Sequence, residues 1–366
     1  MKKIILLNLT AAIFVTATTL ATQAIARDIN YSSFVSPKHV YNHFAMQPMF
    51  DNLKEEIEVK LHTSGSLTGA RTTLSGISSG LTDGGLIVSL YHAKQLPRAV
   101  LFSDLALLNE NSVATMAALN ETVQLECPEC TKEYNKYSIK DFGAYSTTPY
   151  NLMCKTAINS MADLNGLKVR AGGEVFTRVI DALGAVPVNI PSSEAYEALE
   201  RGQLDCVLGS VAWLKSYSLM DVVTHVVEEP IGSYLGGSAV NLNTDTWGDL
   251  SNAQKDAWVS EAPGALARAT TGYVAEDKKA KKLALAKGIK FSKAPADMAN
   301  FLVTYREGEV ETAIKAAKER GVKNPEIIVT RFLKNIKKWE SLVTVDIDPE
   351  TFTKILEERI YKTAKY

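Results

Sequence analysis

A charge of one sign, tandem repeats and catalytic signatures are all missing from this chain. Its 366 residues carry 40 Lys and Arg against 41 Asp and Glu, so it lacks the basic excess that marks a nucleic-acid surface. No G-x-S-x-G, H-E-x-x-H or P-loop occurs, and its acids form no obvious pair of opposed roles. The chain is therefore expected not to be an enzyme. Histidine is scarce, with five residues at 39, 43, 62, 92 and 225. His39 and His43 have the spacing of a metal pair, but no third ligand accompanies them. Neither a metal nor a cofactor is expected.

Long apolar runs are also absent, with one exception. Lys2 and Lys3 precede an apolar stretch from Ile4 to Leu20, and Ala24-Ile25-Ala26 follows ahead of Arg27. That order reads as a secretory signal peptide cleaved after Ala26. The run is broken by Asn8, Thr10 and Thr16, which argues against a membrane anchor, and no Cys stands near the cleavage point to carry a lipid. An exported, periplasmic protein of about 340 residues is expected, too long for one comfortable core and so divided into two lobes. Cleavage removes Lys2 and Lys3, leaving 38 basic against 41 acidic residues, a charge of −3.

Only four cysteines occur, at 127, 130, 154 and 206, and export places them where disulfides persist. Cys127-Pro128-Glu129-Cys130 lies in LECPECTKEYNKY, which reads as a polar loop between helices. A small structural disulfide, a redox site and half a zinc site are all compatible with it. Cys154 and Cys206 sit in short apolar segments, either as neighbouring thiols or as a second bridge.

What the chain does have is an α/β rhythm. INYSSFV and EIEVKLH alternate as strands, Arg71–Gly80 suits a helix, and DGGLIVSLYHA suits a third strand. Helix dominates from Leu107 to Tyr137. Beyond STTPYNLMC the strands LKVRA, VPVNI and LDCVLGS alternate with the helices EVFTRVIDALG and SSEAYEALERGQ, and the latter starts at Ser192 or Ser193 and stops at Gly202. THVVEEP and YLGGSAVNLNTDTW are strand-like, and residues from Ser251 onward are mostly helical. With no linker in evidence, strands that cross between the lobes are expected to join them.

The most telling segment runs from Leu164 to Ser210. It places Arg170 at the carboxyl end of a buried strand, where open α/β sheets bind ligands, and follows it with Ala171-Gly172-Gly173. A guanidinium closes on both oxygens of a carboxylate in a way lysine cannot. Each charge-assisted hydrogen bond contributes roughly 1.5–3 kcal/mol, a large share of the ~8 kcal/mol of a micromolar complex. Spacing alone leaves open a structural salt bridge to Glu174 or Asp205. The two glycines leave backbone N–H groups bare for a second ligand oxygen.

The run D-L-x-G-L-K-V-R-A-G-G, then A-L-G-A-V-P-V, then E-A-Y-E-A-L-E-R-G-Q-L-D resembles the diagnostic region of DctP-type solute-binding proteins of tripartite ATP-independent periplasmic (TRAP) transporters. The likeness extends upstream to Gly65-Ser66-Leu67 and TLSGISSGLTDGG, and downstream to GGSAVNLNTDTWGDLSNAQKDAW. It implies a two-lobed Venus flytrap of α/β class, each lobe a mixed, mostly parallel sheet flanked by helices, with a long C-terminal helix spanning both. It also implies that Arg170 grips a carboxylate, while Glu194 and Asp205 hold structural positions.

Two departures bear on the ligand. Many relatives follow the aspartate with G-x-E-N, whereas Asp205 is followed by Cys206-Val207-Leu208-Gly209-Ser210. Ser210 or Trp213 then takes the place of the missing asparagine. Some relatives carry a second arginine about twenty residues before the first; here that region is Thr148-Pro149-Tyr150, with Lys155 the nearest cation. Both departures point away from a dicarboxylate, toward a monocarboxylate with an apolar or hydroxylated body.

The remaining candidate ligand residues follow from strand-end positions: Ser33 and Phe34, Ser89 and Tyr91, and Tyr150 at the crossing. The expected boundaries are a signal peptide over 1–26, a first lobe of 27–148 with about 236–275, a second of 149–235 with about 276–345, and a helical tail over 346–366. The expected function is a monomeric periplasmic receptor that closes on a small organic acid and delivers it to membrane TRAP permease subunits. The alternatives are an exported sensor feeding a membrane kinase and a periplasmic redox protein using Cys127 and Cys130.

Overall fold

A computed structural model describes residues 28–108 and 110–366; the signal-peptide segment lies outside them. The strands are β1 (Ile29–Ser32), β2 (Val59–His62), β3 (Gly84–Gly85), β4 (Ile139–Gly143), β5 (Asn151–Cys154), β6 (Lys168–Ala171), β7 (Val186–Asn189), β8 (Cys206–Gly209), β9 (His225–Glu228), β10 (Val240–Asn243) and β11 (Lys290–Lys293). Among the helices of the described residues are α1 (Pro97–Asp104), α2 (Ser112–Glu121), α3 (Pro128–Asn135), α4 (Glu174–Ala182), α5 (Asn252–Ala286), α6 (Ala296–Glu307), α7 (Glu309–Glu319) and α8 (Pro325–Glu340).

The strands form two groups, and the chain has the two-lobed α/β architecture. In the first lobe, β2-β1-β3 is a parallel sheet and β10-β4 an antiparallel pair. Asn241 joins them, accepting from the Gly85 N–H at 3.0 Å and donating to the Gly85 carbonyl at 2.8 Å. The second lobe is a six-stranded mixed sheet in the order β11-β9-β5-β8-β6-β7. Its central β8 is buried at every residue, as a strand covered on both faces must be.

Two extended segments pass between the lobes side by side. Ser146 bridges Leu235, the Thr147 N–H donates to the Tyr234 carbonyl at 3.0 Å, and that of Tyr150 donates to Gly232 at 2.7 Å. The expectation of crossing strands is met. α5 makes a third connection. Its start is fixed by a capping box between Ser251 and Gln254, and its 35 residues extend about 52 Å at 1.5 Å per residue. It packs on β4 and β10 at one end and β11 at the other.

The sequence expectation carries residues 276–345 with the second lobe. In the structure α7 packs on α1, and α8 on α2, so both sit with the first lobe's helices. An amphipathic stripe reveals that a helix has a buried face but not which partner covers it. The third strand is also shorter than expected: pairing stops at Gly85 and the chain turns into a 3₁₀ helix over Ser89–Tyr91.

Both cysteine pairs are bridged. Cys154 and Cys206 face each other across β5 and β8. Cys127 and Cys130 form the short bridge, which opens α3 with Pro128 in its first turn and does not sit in a polar loop. Both of its cysteines are buried, so the sulfurs are shielded from an exchange partner. Among the described residues no group of His, Cys, Asp and Glu fits a metal ion.

Candidate functional site

Arg170 is 2% exposed, and no acid among the described residues holds it. Its Nε donates to the Ile190 carbonyl at 3.0 Å, Nη1 to Leu208 at 3.4 Å and Nη2 to the Tyr91 hydroxyl at 3.1 Å. The guanidinium lies 5.3 Å from the ring centre of Trp213. The two acids that spacing offered as partners are engaged elsewhere: Glu174 pairs with Arg320 at 2.7 Å, and Asp205 accepts the Lys168 N–H at 2.8 Å. A buried cation held only by neutral acceptors is an electrostatic deficit that an anion would fill.

Local sequence explains this geometry. β6 and β8 run parallel in register, Arg170 opposite Val207, so the side chain emerges between strand ends. A Cβ on Gly172 would stand 2.5 Å from Nη2, so glycine there leaves the guanidinium its place. A Cβ on Gly209 would collide with the Trp213 ring, so glycine lets the indole lie over the end of β8.

Arg170 opens into a small cavity of about 20 Å³, room for little more than a water molecule in this arrangement of the lobes. Its walls are aromatic. Phe34 and Tyr91 come from the first lobe, Trp213 and Tyr217 from the second, Tyr145, Tyr150 and Tyr234 from the crossing segments, and Tyr273 from α5. Tyr145 stacks on Tyr273 at 5.8 Å, and Tyr150 and Trp213 are tilted at 5.1 Å. Several hydroxyls are committed internally: Tyr234 donates to Gly236, Tyr217 bonds Ser192 and Tyr273 bonds His39. Those residues offer a ligand mainly their rings.

His39 also lines the cavity. Burial holds its imidazole down to about 3, so it stays neutral at ordinary pH, and its nitrogens face Tyr273 and the Tyr41 N–H. Burial likewise pushes the Tyr150 and Tyr217 hydroxyls well above the usual phenol range. No Asp or Glu lines the cavity. Arg170 is thus its one formal charge among the described residues, facing an aromatic and neutral-polar wall.

Of the sequence candidates, the structure brings Arg170, Gly172, Trp213, Tyr150, Tyr91 and Phe34 together around the cavity. Four do not line it. Ser210 bonds Asp277 at 2.7 Å and Thr148 at 3.0 Å; Ser89 bonds Ser103 at 2.7 Å; Ser33 is fully buried, its hydroxyl without a hydrogen-bond partner. The Gly173 N–H is directed to the Asn189 side chain at 3.3 Å and is not bare. A strand end fixes where a residue sits, but the hydroxyls of Ser89 and Ser210 are taken by neighbours before they reach a ligand. Sequence reasoning missed Tyr145, Tyr217, Tyr234, Tyr273, His39, Thr147 and Ser192. The chain has 14 tyrosines and no spacing marks these.

Residues 31–305 match the bacterial extracellular solute-binding proteins of family 7, DctP. The chain belongs to the DctP family. Its members and structural neighbours are solute-binding proteins, not enzymes. Among curated relatives, the outer membrane transporter protein TsaT of Comamonas testosteroni is 24% identical over 334 residues, 88% of this chain and 95% of that one.

Solved structures share the DctP fold. A TRAP solute-binding protein from an unidentified marine microbe, specific for aromatic acids and bound to 3-hydroxybenzoate, superposes with a TM-score of 0.76 at 23% identity, covering 86% of this chain and 98% of that one. A Rhodoferax ferrireducens protein with copurified benzoate gives 0.74 at 18%, covering 86% and 99%. A Bordetella bronchiseptica protein with bound mandelate gives 0.72 at 20%, covering 85% and 99%. Among the described residues no helix is long and apolar enough to cross a membrane.

Proposed function

We propose that this DctP protein is a periplasmic receptor that captures an aromatic monocarboxylate between its lobes and hands it to the membrane subunits of a TRAP transporter. One observation carries the reading: a buried arginine without an acidic partner opens into a cavity walled by eight aromatic rings. Arg170 takes the carboxylate; with no second cation in the wall, a second carboxylate would be buried unpaired, at prohibitive cost. The rings bury the ligand's apolar body, with offset and edge contacts adding roughly 0.5–1.5 kcal/mol each beyond area. Lobe closure excludes water and strengthens the ion pair.

The ligands of the three similar structures, 3-hydroxybenzoate, benzoate and mandelate, support the class, since each joins one carboxylate to one ring. The crossing segments support lobe boundaries near residues 150 and 231. The test is a thermal-shift screen followed by calorimetry with benzoate, 3-hydroxybenzoate and mandelate against succinate, pyroglutamate and galacturonate. Saturation at 100 times Kd adds about 2.7 kcal/mol to stability. Preference for succinate over every aromatic acid would defeat the reading.

A further inference from the structure

Eight residues after Arg170 lies a second buried charge cluster that ligand capture does not use. Glu174 and Arg178 are one turn apart on α4, the helix that follows β6. Facing them are Asp104, the last residue of α1, Glu309, the first of α7, and Arg320, just beyond the end of α7. Arg320 Nη1 is 2.7 Å from Glu174 Oε2, and its Nη2 bonds Asp104. Arg178 Nη2 is 3.2 Å from Glu309 and its Nη1 3.9 Å from Asp104 Oδ1. Asp104 is fully buried and Glu309 nearly so.

α4 rides on β6 and β7, whereas α7 packs on α1 with the first lobe's helices. The Glu174–Arg320 and Arg178–Asp104 pairs therefore cross from one lobe to the other. The cluster is also incompletely bonded: Asp104 Oδ1, Arg178 Nε and Nη1, and Arg320 Nε are buried without a hydrogen-bond partner. A fully satisfied buried network is rigid, and a partly satisfied one is held less firmly. Such a junction can be made and broken within the working range of a hinge.

We propose that this cluster is the latch of the closed form. Arg320 and Asp104 take hold of Glu174 and Arg178 when the lobes meet and release them on opening. Only Ala171, Gly172 and Gly173 separate Arg170 from α4, so the arginine and the Glu174–Arg178 half of the latch move as one body. Tyr91 meets Arg170 from the first lobe, so the same approach completes both. The latch sets the closed fraction, and the apparent affinity at Arg170 scales with that fraction. Its effect on affinity rests on the proposed capture of a carboxylate by Arg170; its effect on closure does not.

The experiment places spin labels at two exposed sites in opposite lobes, Leu81→Cys and Val186→Cys, and measures interlobe distances in full-length mature protein with and without benzoate. Arg320→Gln, which takes from Asp104 and Glu174 the cation they share, should shift the distribution toward open and weaken benzoate about tenfold. Glu174→Gln, on a half-exposed side chain, should shift it in the same direction by less and serves if Arg320→Gln fails to fold. The swap Glu174→Arg with Arg320→Glu should recover part of the closed fraction. Folded variants with an unchanged distribution would overturn the latch, even if their Tm falls. If wild type does not respond to benzoate, the capture reading fails, while the ligand-free distributions of variant and wild type still decide the latch.

Discussion

Arg170 and Arg178 stand eight residues apart in sequence, one on β6 and one on α4, and in opposite electrostatic circumstances. Arg178 has Asp104 and Glu309 within salt-bridge reach; Arg170 has two carbonyls, a phenol and an indole face. Both are cations taken out of bulk water, which is costly. For Arg178 the compensation is internal and joins helices of two lobes. For Arg170 we propose that it comes from a ligand's carboxylate. The pair teaches that burial of a charge says little about its role until its partners are named.

The largest test of this contrast is Arg170→Ala, which should weaken benzoate at least about 100-fold by losing two charge-assisted hydrogen bonds, with the fold kept by circular dichroism. Arg170→Lys should recover little, because an ammonium cannot reproduce the fork. Unchanged calorimetric affinity in Arg170→Ala would remove the distinction between the two arginines.

A second test concerns the acid on the other side. Burial pushes the Asp104 carboxyl up to about 6, against the pull of Arg320 and Arg178. A folded value above the unfolded 3.8 means that the protonated form favours folding. The resulting stability is complete below about pH 4 and is lost as pH rises through about 6. The stability of wild type relative to Asp104→Asn should thus fall by about 2 kcal/mol between about pH 4 and 7. Denaturant titrations that give the opposite slope would mean that the two guanidiniums outweigh burial.

Tyr91→Phe removes the hydroxyl to which both Arg170 and the Ser192 N–H donate. It should cost about tenfold in benzoate affinity while leaving the Arg178 cluster and its pH response unchanged. The smallest effect is expected from Gly172→Ala, whose methyl would press on Nη2. The tip of a long side chain can yield, so affinity should drop about threefold with Tm held. A large Tm loss there would place Gly172 in the fold and not in the site.

Much of the charged part of the site was legible in the sequence, because an arginine at a strand end beside two glycines is a local pattern. So were the two α/β lobes, through alternating periods of two and 3.6 residues. The aromatic wall was not. Tyr273 reaches the cavity from α5, Tyr145 and Tyr234 from segments nearly 90 residues apart in the chain, and only tertiary packing gathers them. Nor was the second charge cluster, since Arg320 is 216 residues from Asp104. The serines misled for the converse reason: Ser89 and Ser210 have the right address, but close neighbours use their hydroxyls first.

The two crossing segments and α5 give the joint between lobes three separate strands of material. A single tether would permit swivelling in every direction; two extended segments hydrogen-bonded side by side, with a long rod anchored at both ends, leave chiefly one bend free. Motion confined to a bend returns the same two surfaces to the same register each time. In the proposed closure Tyr91 would then arrive opposite Arg170, and Arg320 opposite Glu174, without a search over orientations.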